Sequence, residues 1–148
     1  MRIKRQFTVE GHSPYDGIAF RFATSEIRNP DGSIVFRQTD IEVPDEWSQV
    51  ACDVLAQKYF RKAGVPARTE RAAEVGVPDW LQASRPAASD PLTGQETDAR
   101  QVFRRLAGCW TYWGWKGGYF SDEADARAFC DEVCYTLAAQ MAAPNSPQ

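Results

Sequence analysis

Four cysteines, one histidine and a proline-bracketed serine carry most of the chemical potential of this 148-residue chain. Cys130 and Cys134 stand one helical turn apart and could offer two thiolates to zinc. A structural zinc site takes four ligands, usually in paired short spacings such as C-x-x-C, and no such knuckle occurs. Phe129, Val133 and Leu137 surround the pair in sequence, so buried, inert thiols are expected, and no metal site. His12 is the lone histidine and lies in an unpatterned segment. Without a second histidine or a nucleophile elbow, a histidine-based triad has little support, and a structural or solvent-exposed role is the default.

Gly114-Trp115-Lys116-Gly117-Gly118 resembles a phosphate loop only superficially. It lacks the Walker spacing and follows no strand, so it reads as a helix stop. No acid sits in an apolar setting that would mark a general acid. Lys58 falls on an apolar helical stripe, where its stem can snorkel past Leu55 and Tyr59. Asn145-Ser146-Pro147 is different. A serine hydroxyl and backbone N–H groups in a proline-bracketed turn can hold a phosphate oxygen, and proline fixes the loop in advance. Ser146 is therefore the candidate ligand contact, and no catalytic residue is assigned.

Composition sets the background. The chain is 43% hydrophobic and 25% charged, with formal net charge -3. Its length suits one domain with a core that needs no staple. Mild acidity argues against a general nucleic-acid or anionic-membrane binder. No stretch is long and apolar enough to span a bilayer, and the basic start has no apolar run behind it. Free thiols in a reducing cytoplasm are expected.

Three stretches must position the serine. Residues 1–65 contain a hairpin and a first helix. Alternation over 17–29 and 33–43, joined by Pro30-Asp31-Gly32-Ser33, predicts the hairpin. A helix over about 45–63 follows, with Trp47, Val50, Ala51, Val54, Leu55 and Tyr59 on one stripe and Phe60 off it, exposed. Gly64 and Pro66 stop it. Residues 66–95, broken by Pro66, Pro78, Pro86, Pro91 and Gly94, read as a linker or loose excursion in which Val77–Leu81 docks as one turn.

Residues 96–148 read as a helical pair leading into the serine loop. Thr97 and Ser121 are natural N-caps, and Gly117-Gly118 separates the helices. Ala99, Val102, Phe103, Leu106, Ala107, Trp110 and Trp113 share a face; Tyr112 and Trp115 lie off it. Each large aromatic buries ~150–250 Å², a gross ~4–6 kcal/mol at ~25 cal/mol per Å² and an upper bound. A second packing partner around Tyr112 and Trp115 is therefore expected, either another part of this chain or a separate domain. The fold class is α+β and mostly helical.

Three segments, WSQVACDVLAQKYFRKAGVP (47–66), ETDARQVFRRLAGCWTYWGWKGGYF (96–120) and DARAFCDEVCYTLAAQMAAPNSPQ (125–148), resemble the N-terminal region of adenosylcobalamin-dependent (class II) ribonucleotide reductases. The resemblance implies that the complete enzyme reduces the ribose 2′-hydroxyl of ribonucleotides through a cysteine thiyl radical generated with adenosylcobalamin. That chemistry would take place inside a ten-stranded α/β barrel that follows this module. It implies a substrate-binding role for Ser146, which the family places in a loop entering the barrel. It assigns no role to Cys52, Cys109, Cys130 or Cys134, because the family's reactive cysteines and cobalamin contacts lie further along. The expected partners are then the catalytic barrel, in cis or as a separate chain, and the ribonucleotide. The segment alone is expected to bind no cobalamin and to be inactive, whether a fragment, a split subunit or the product of an interrupted gene. A non-catalytic helical protein-interaction module is the alternative.

Overall fold

The alternating residues form a hairpin. In the computed structural model, which describes residues 1–88 and 92–144, β1 (Phe20–Arg28) pairs antiparallel with β2 (Ile34–Pro44). At the tip Gly32 takes φ 86°, and the Asp31 carboxylate accepts from the Ser33 N–H at 2.8 Å. The register slips between Ala23 and Ser25, where Asp40 adopts φ 55°. This is a β-bulge, which increases the local twist. One face of the hairpin is buried through Ala23, Ser25, Gln38, Ile41 and Val43, whereas Phe22, Ile34 and Val35 stay exposed.

The first helix is shorter than its sequence stripe. α1 (Gln49–Val54) starts at Ser48, whose hydroxyl accepts from the Ala51 N–H at 3.2 Å. A π-helical turn over Leu55–Tyr59 follows, closed by the Phe60 N–H donating to the Leu55 carbonyl at 3.0 Å. The wider turn shifts the helical phase by about one residue. Phe60, expected outside, is consequently 4% exposed and part of the core, while Val50 and Val54 face outward and Lys58 is exposed.

The 66–95 excursion leaves and returns as a ladder. β3 (Val65–Pro66) pairs with β6 (Thr93–Gly94), and β4 (Thr69–Arg71) with β5 (Ser84–Pro86). Between β4 and β5 a 3₁₀ turn over Asp79–Leu81 docks through buried Val77 and Leu81.

Two long helices complete the α+β architecture. α2 (Ala99–Lys116) is capped by Asp98, one residue past Thr97. Asp98 accepts from the Arg100 N–H at 2.8 Å, and Gln101 accepts from the Asp98 N–H at 3.0 Å, a reciprocal capping box. α3 (Glu123–Ala138) is capped by Asp122, likewise one residue past the expected Ser121. At the corner between them Gly118 takes φ 67°, and Phe120 folds back over Gly114. A Cβ on Gly114 would stand 2.7 Å from the Phe120 ring, so only glycine lets that ring sit there. Phe120 also packs against Phe129 of α3, with centroids 5.4 Å apart.

The core gathers Ile41 and Val43 from β2, Cys52, Leu55, Ala56 and Phe60 from the first helical segment, Val102, Phe103 and Ala107 from α2, and Cys134, Leu137 and Ala138 from α3. Trp47 packs on Phe103 with centroids 5.6 Å apart and donates from Nε1 to the Ala138 carbonyl at 2.8 Å. It thereby satisfies a carbonyl that the end of α3 leaves free. Trp113, expected on the buried stripe, is 61% exposed; Thr111 and Gly114 are buried instead. At Gly114 the missing side chain leaves room for the Phe120 ring.

Residues 1–8, where no period was legible, run along α3 as an extended arm. The Ile3 N–H donates to Asp125 at 2.7 Å, and Arg5 pairs with Asp131 at 2.7 Å. The Phe7 N–H, the Thr8 N–H and the Thr8 hydroxyl all donate to Glu132, the last at 2.6 Å. Phe7 stacks on Tyr135 at 5.0 Å. Two acids are buried, Asp125 here and Glu96 just before α2, and both accept hydrogen bonds.

Burial pushes the Glu132 carboxyl up, but the hydrogen bonds from Thr8 and Phe7 outweigh it and hold the group below its ordinary value. A depressed folded pKa makes the clamp fully effective above the unfolded glutamate value, about 4.3, and lost as pH falls through the lower folded value. The Thr8 amide proton should therefore titrate by NMR with a midpoint below that of a free glutamate, and Glu132→Gln should abolish the transition. A midpoint at or above the free value would show that the clamp does not hold the arm.

Candidate functional site

The last two turns of α2 present Tyr112, Trp115 and Lys116 to the excursion. The Tyr112 hydroxyl donates to Glu74 Oε2 at 2.8 Å, and Lys116 Nζ donates to Glu74 Oε1 at 2.6 Å. Trp115 Nε1 donates to the Gly76 carbonyl at 2.7 Å. Hydrogen bonds from Lys116 and Tyr112 hold the Glu74 carboxyl below the usual range, and Glu74 in turn raises both Tyr112 and Lys116. Tyr112 and Trp115 are both half-buried. Of the two coverings the sequence left open, the chain itself supplies one: residues 74–77 act as a strap over this face. The strap is pinned on its other side by Trp80, whose Nε1 donates to Glu123 at 2.9 Å and whose ring lies 4.6 Å from the Arg127 guanidinium.

The cysteines do not gather with other potential ligands. Cys52 and Cys134 are buried, Cys130 is half-buried and Cys109 is exposed. Hydrogen bonding with Cys130, then burial, pushes the Cys134 thiol far up. Burial likewise raises Cys52 and the phenol of Tyr15. A raised thiol stays protonated and is a poor nucleophile or metal ligand. Among the described residues, no three His, Cys, Asp or Glu side chains come together as a metal site. His12 is exposed and contacts Asp16 at 3.2 Å.

Two depressions mark the surface. One, of about 450 Å³, is of mixed polarity, lined by Tyr15, Ile18 and Phe20 together with Asp16, Asp98, Arg100 and Arg104 among others. Its Arg100 is engaged by Asp98 at 2.9 Å and by Glu42 at 2.5 Å. The other, of about 490 Å³, is an apolar groove between α1, α2 and the end of α3, lined by Trp47, Leu55, Tyr59, Phe103, Leu106 and Met141 among others. His12 lines neither. Asn145, Ser146, Pro147 and Gln148 lie outside the described residues. The last described residues, Ala142–Pro144, form one wall of the apolar groove. No helix among the described residues is long and apolar enough to cross a membrane.

These features define an α+β module. The family model for class II vitamin B12-dependent ribonucleotide reductase matches residues 21–140, and the chain belongs to that family as its N-terminal region. The vitamin B12-dependent ribonucleotide reductase of Bradyrhizobium diazoefficiens is 61% identical over an alignment of 155 positions covering 100% of this chain. The corresponding reductase of Agrobacterium fabrum is 59% identical over the same span, and that of Streptomyces clavuligerus 31% identical over 99% of the chain. The chain spans about 12% of the length of the first two relatives.

Tyr112→Phe combined with Lys116→Ala removes both donors to Glu74. Limited proteolysis within residues 66–88 should then accelerate while far-UV circular dichroism stays unchanged. Unaltered cleavage would assign the hold on the strap to Val77 and Leu81 instead.

Proposed function

We propose that this chain is the N-terminal scaffold of an adenosylcobalamin-dependent ribonucleoside-diphosphate reductase, an enzyme that makes deoxyribonucleotides for DNA synthesis and repair by reducing the ribose 2′-hydroxyl. The observation that carries this reading is the family match over residues 21–140 together with 61% identity to a named reductase across the whole chain. The catalytic work belongs to a ten-stranded α/β barrel, covalently continuous or separate. The cofactor would supply the radical chemistry there, and this segment would not hold it. What the described residues contribute is shape: a helix pair, locked by the Gly114–Phe120 corner and the Trp47 hydrogen bond, whose second helix ends at Ala138, with Ser146 following further along the sequence. Ser146 is the substrate contact, its hydroxyl donating to a diphosphate oxygen. The working compartment is the cytoplasm, where the thiols stay reduced.

The test is a chimera in which this chain replaces the matching N-terminal region of the Bradyrhizobium reductase. Cobalamin-dependent deoxynucleotide formation is expected from the chimera and none from the 148-residue chain alone. A folded but inactive chimera would favour a non-catalytic interaction module.

In the same chimera Ser146→Ala should raise the KM for the ribonucleotide roughly tenfold, as expected for one hydrogen bond to a charged group. An unchanged KM would remove the assigned role.

A further inference from the structure

We infer that the apolar groove between α1, α2 and the end of α3 is the seat on which the body of the reductase docks, through an apolar segment of the polypeptide that in the longer relatives follows the region matched here. The inference rests on the reading of this chain as the N-terminal part of such an enzyme. It moves the docking face away from Tyr112 and Trp115, whose flank residues 74–77 of the same chain already cover.

The groove has the chemistry of a hydrophobic seat. Its volume is about 490 Å³, and no lysine, arginine, aspartate or glutamate lines it. Carbon walls of this kind give little to a phosphate or a sugar and much to a helix or strand with apolar anchors. The apolar surface also runs over the rim: Val54 and Met141, which line the groove, are 47% and 56% exposed, and Val50, one turn before Val54, is 71% exposed. Side chains of this kind exposed side by side mark an interaction surface more often than scattered single ones do.

Position selects the occupant. Ala142, Ala143 and Pro144 form a wall of the groove. The relatives of which this chain matches the N-terminal 12% are longer, and in sequence their further polypeptide follows the residues of that wall. A segment tethered so close to its seat meets it at high effective concentration, and a short connection costs little closure entropy. A second copy of this chain has no such tether.

The test compares the 148-residue chain with the Bradyrhizobium chimera, each carrying Val54→Cys or, as control, Val35→Cys on the exposed face of the hairpin. Maleimide labelling is read peptide by peptide by mass spectrometry. The thiol introduced by Val54→Cys should react readily in the free chain and be protected at least roughly tenfold in the chimera. The one introduced by Val35→Cys should react equally in both. Equal labelling of the Val54→Cys thiol in the two proteins would overturn the inference, even in a chimera that makes deoxynucleotide. Protection already present in the free chain, accompanied by a dimer in sedimentation, would overturn it in favour of a second copy. An inactive chimera in which the groove is still protected would instead count against the functional reading and leave the docking face standing.

Discussion

One buried carboxylate ties four segments of the chain together. Glu96 is 4% exposed, and its side chain accepts from Arg105 Nη2 at 2.8 Å and from the Arg61 N–H at 2.8 Å. Its main-chain carbonyl accepts from the Gln38 amide at 2.8 Å, while Arg105 also reaches the Tyr59 carbonyl at 3.0 Å. β2, the end of the π turn, the returning limb of the excursion and α2 therefore meet at one ion pair. A charge in that position is tolerable only because every neighbour donates to it. Removing a partner from a fully buried pair costs about 3–5 kcal/mol. The Arg105 side chain keeps 28% exposure, so the cost here lies below that range. The π turn follows the same logic. It gives up regular α-helical hydrogen bonding, presents Tyr59 O to Arg105, and carries Phe60 into the core.

The two segments with little apolar content of their own are held by polar groups on the helices. The N-terminal arm supplies donors, mostly backbone N–H groups, and α3 supplies carboxylates. Over the excursion the roles reverse: α2 supplies the donors through Tyr112, Trp115 and Lys116, and the strap supplies Glu74 and a carbonyl. Exposed hydrogen bonds of this sort add little each, but several along one segment fix its path. Their strength follows pH, whereas that of the apolar core does not.

The sequence made the regular elements legible and the exceptions opaque, for identifiable reasons. The hairpin and both long helices announced themselves through period, caps and the Gly117-Gly118 stop. Phe60 was misplaced because a 100° helical wheel cannot anticipate a π turn. Trp113 was misplaced because hydrophobic counting favours tryptophan over Thr111 and Gly114, although the Phe120 ring needs the room that glycine leaves at 114. The caps fell one residue late because Asp98 and Asp122 outcompete the adjacent Thr97 and Ser121 in reaching the first-turn N–H groups. The arm and the Glu96 hub left no trace, since backbone donors are the same in every sequence and an ion pair between residues of different elements has no period. For the site, the place of Tyr112 and Trp115 off the main apolar stripe was legible, and a covering partner was expected there. That the proline-broken stretch would supply it was not, because Glu74 and Gly76 look like ordinary loop residues.

The buried thiols and acids of the described residues are taken up in packing and hydrogen bonding. The Cys52 and Cys134 thiols are pushed toward the protonated form. Exposed apolar surface also remains among the described residues, and it is unevenly distributed. The flank at Tyr112 and Trp115 carries hydrogen bonds that orient the strap, whereas the groove beside α1 ends at the last described residues and is lined mostly by apolar side chains. Hydrophobic burial is non-directional and scales with area, so an open apolar groove lowers the free energy of any continuation of the chain that can fold back into it.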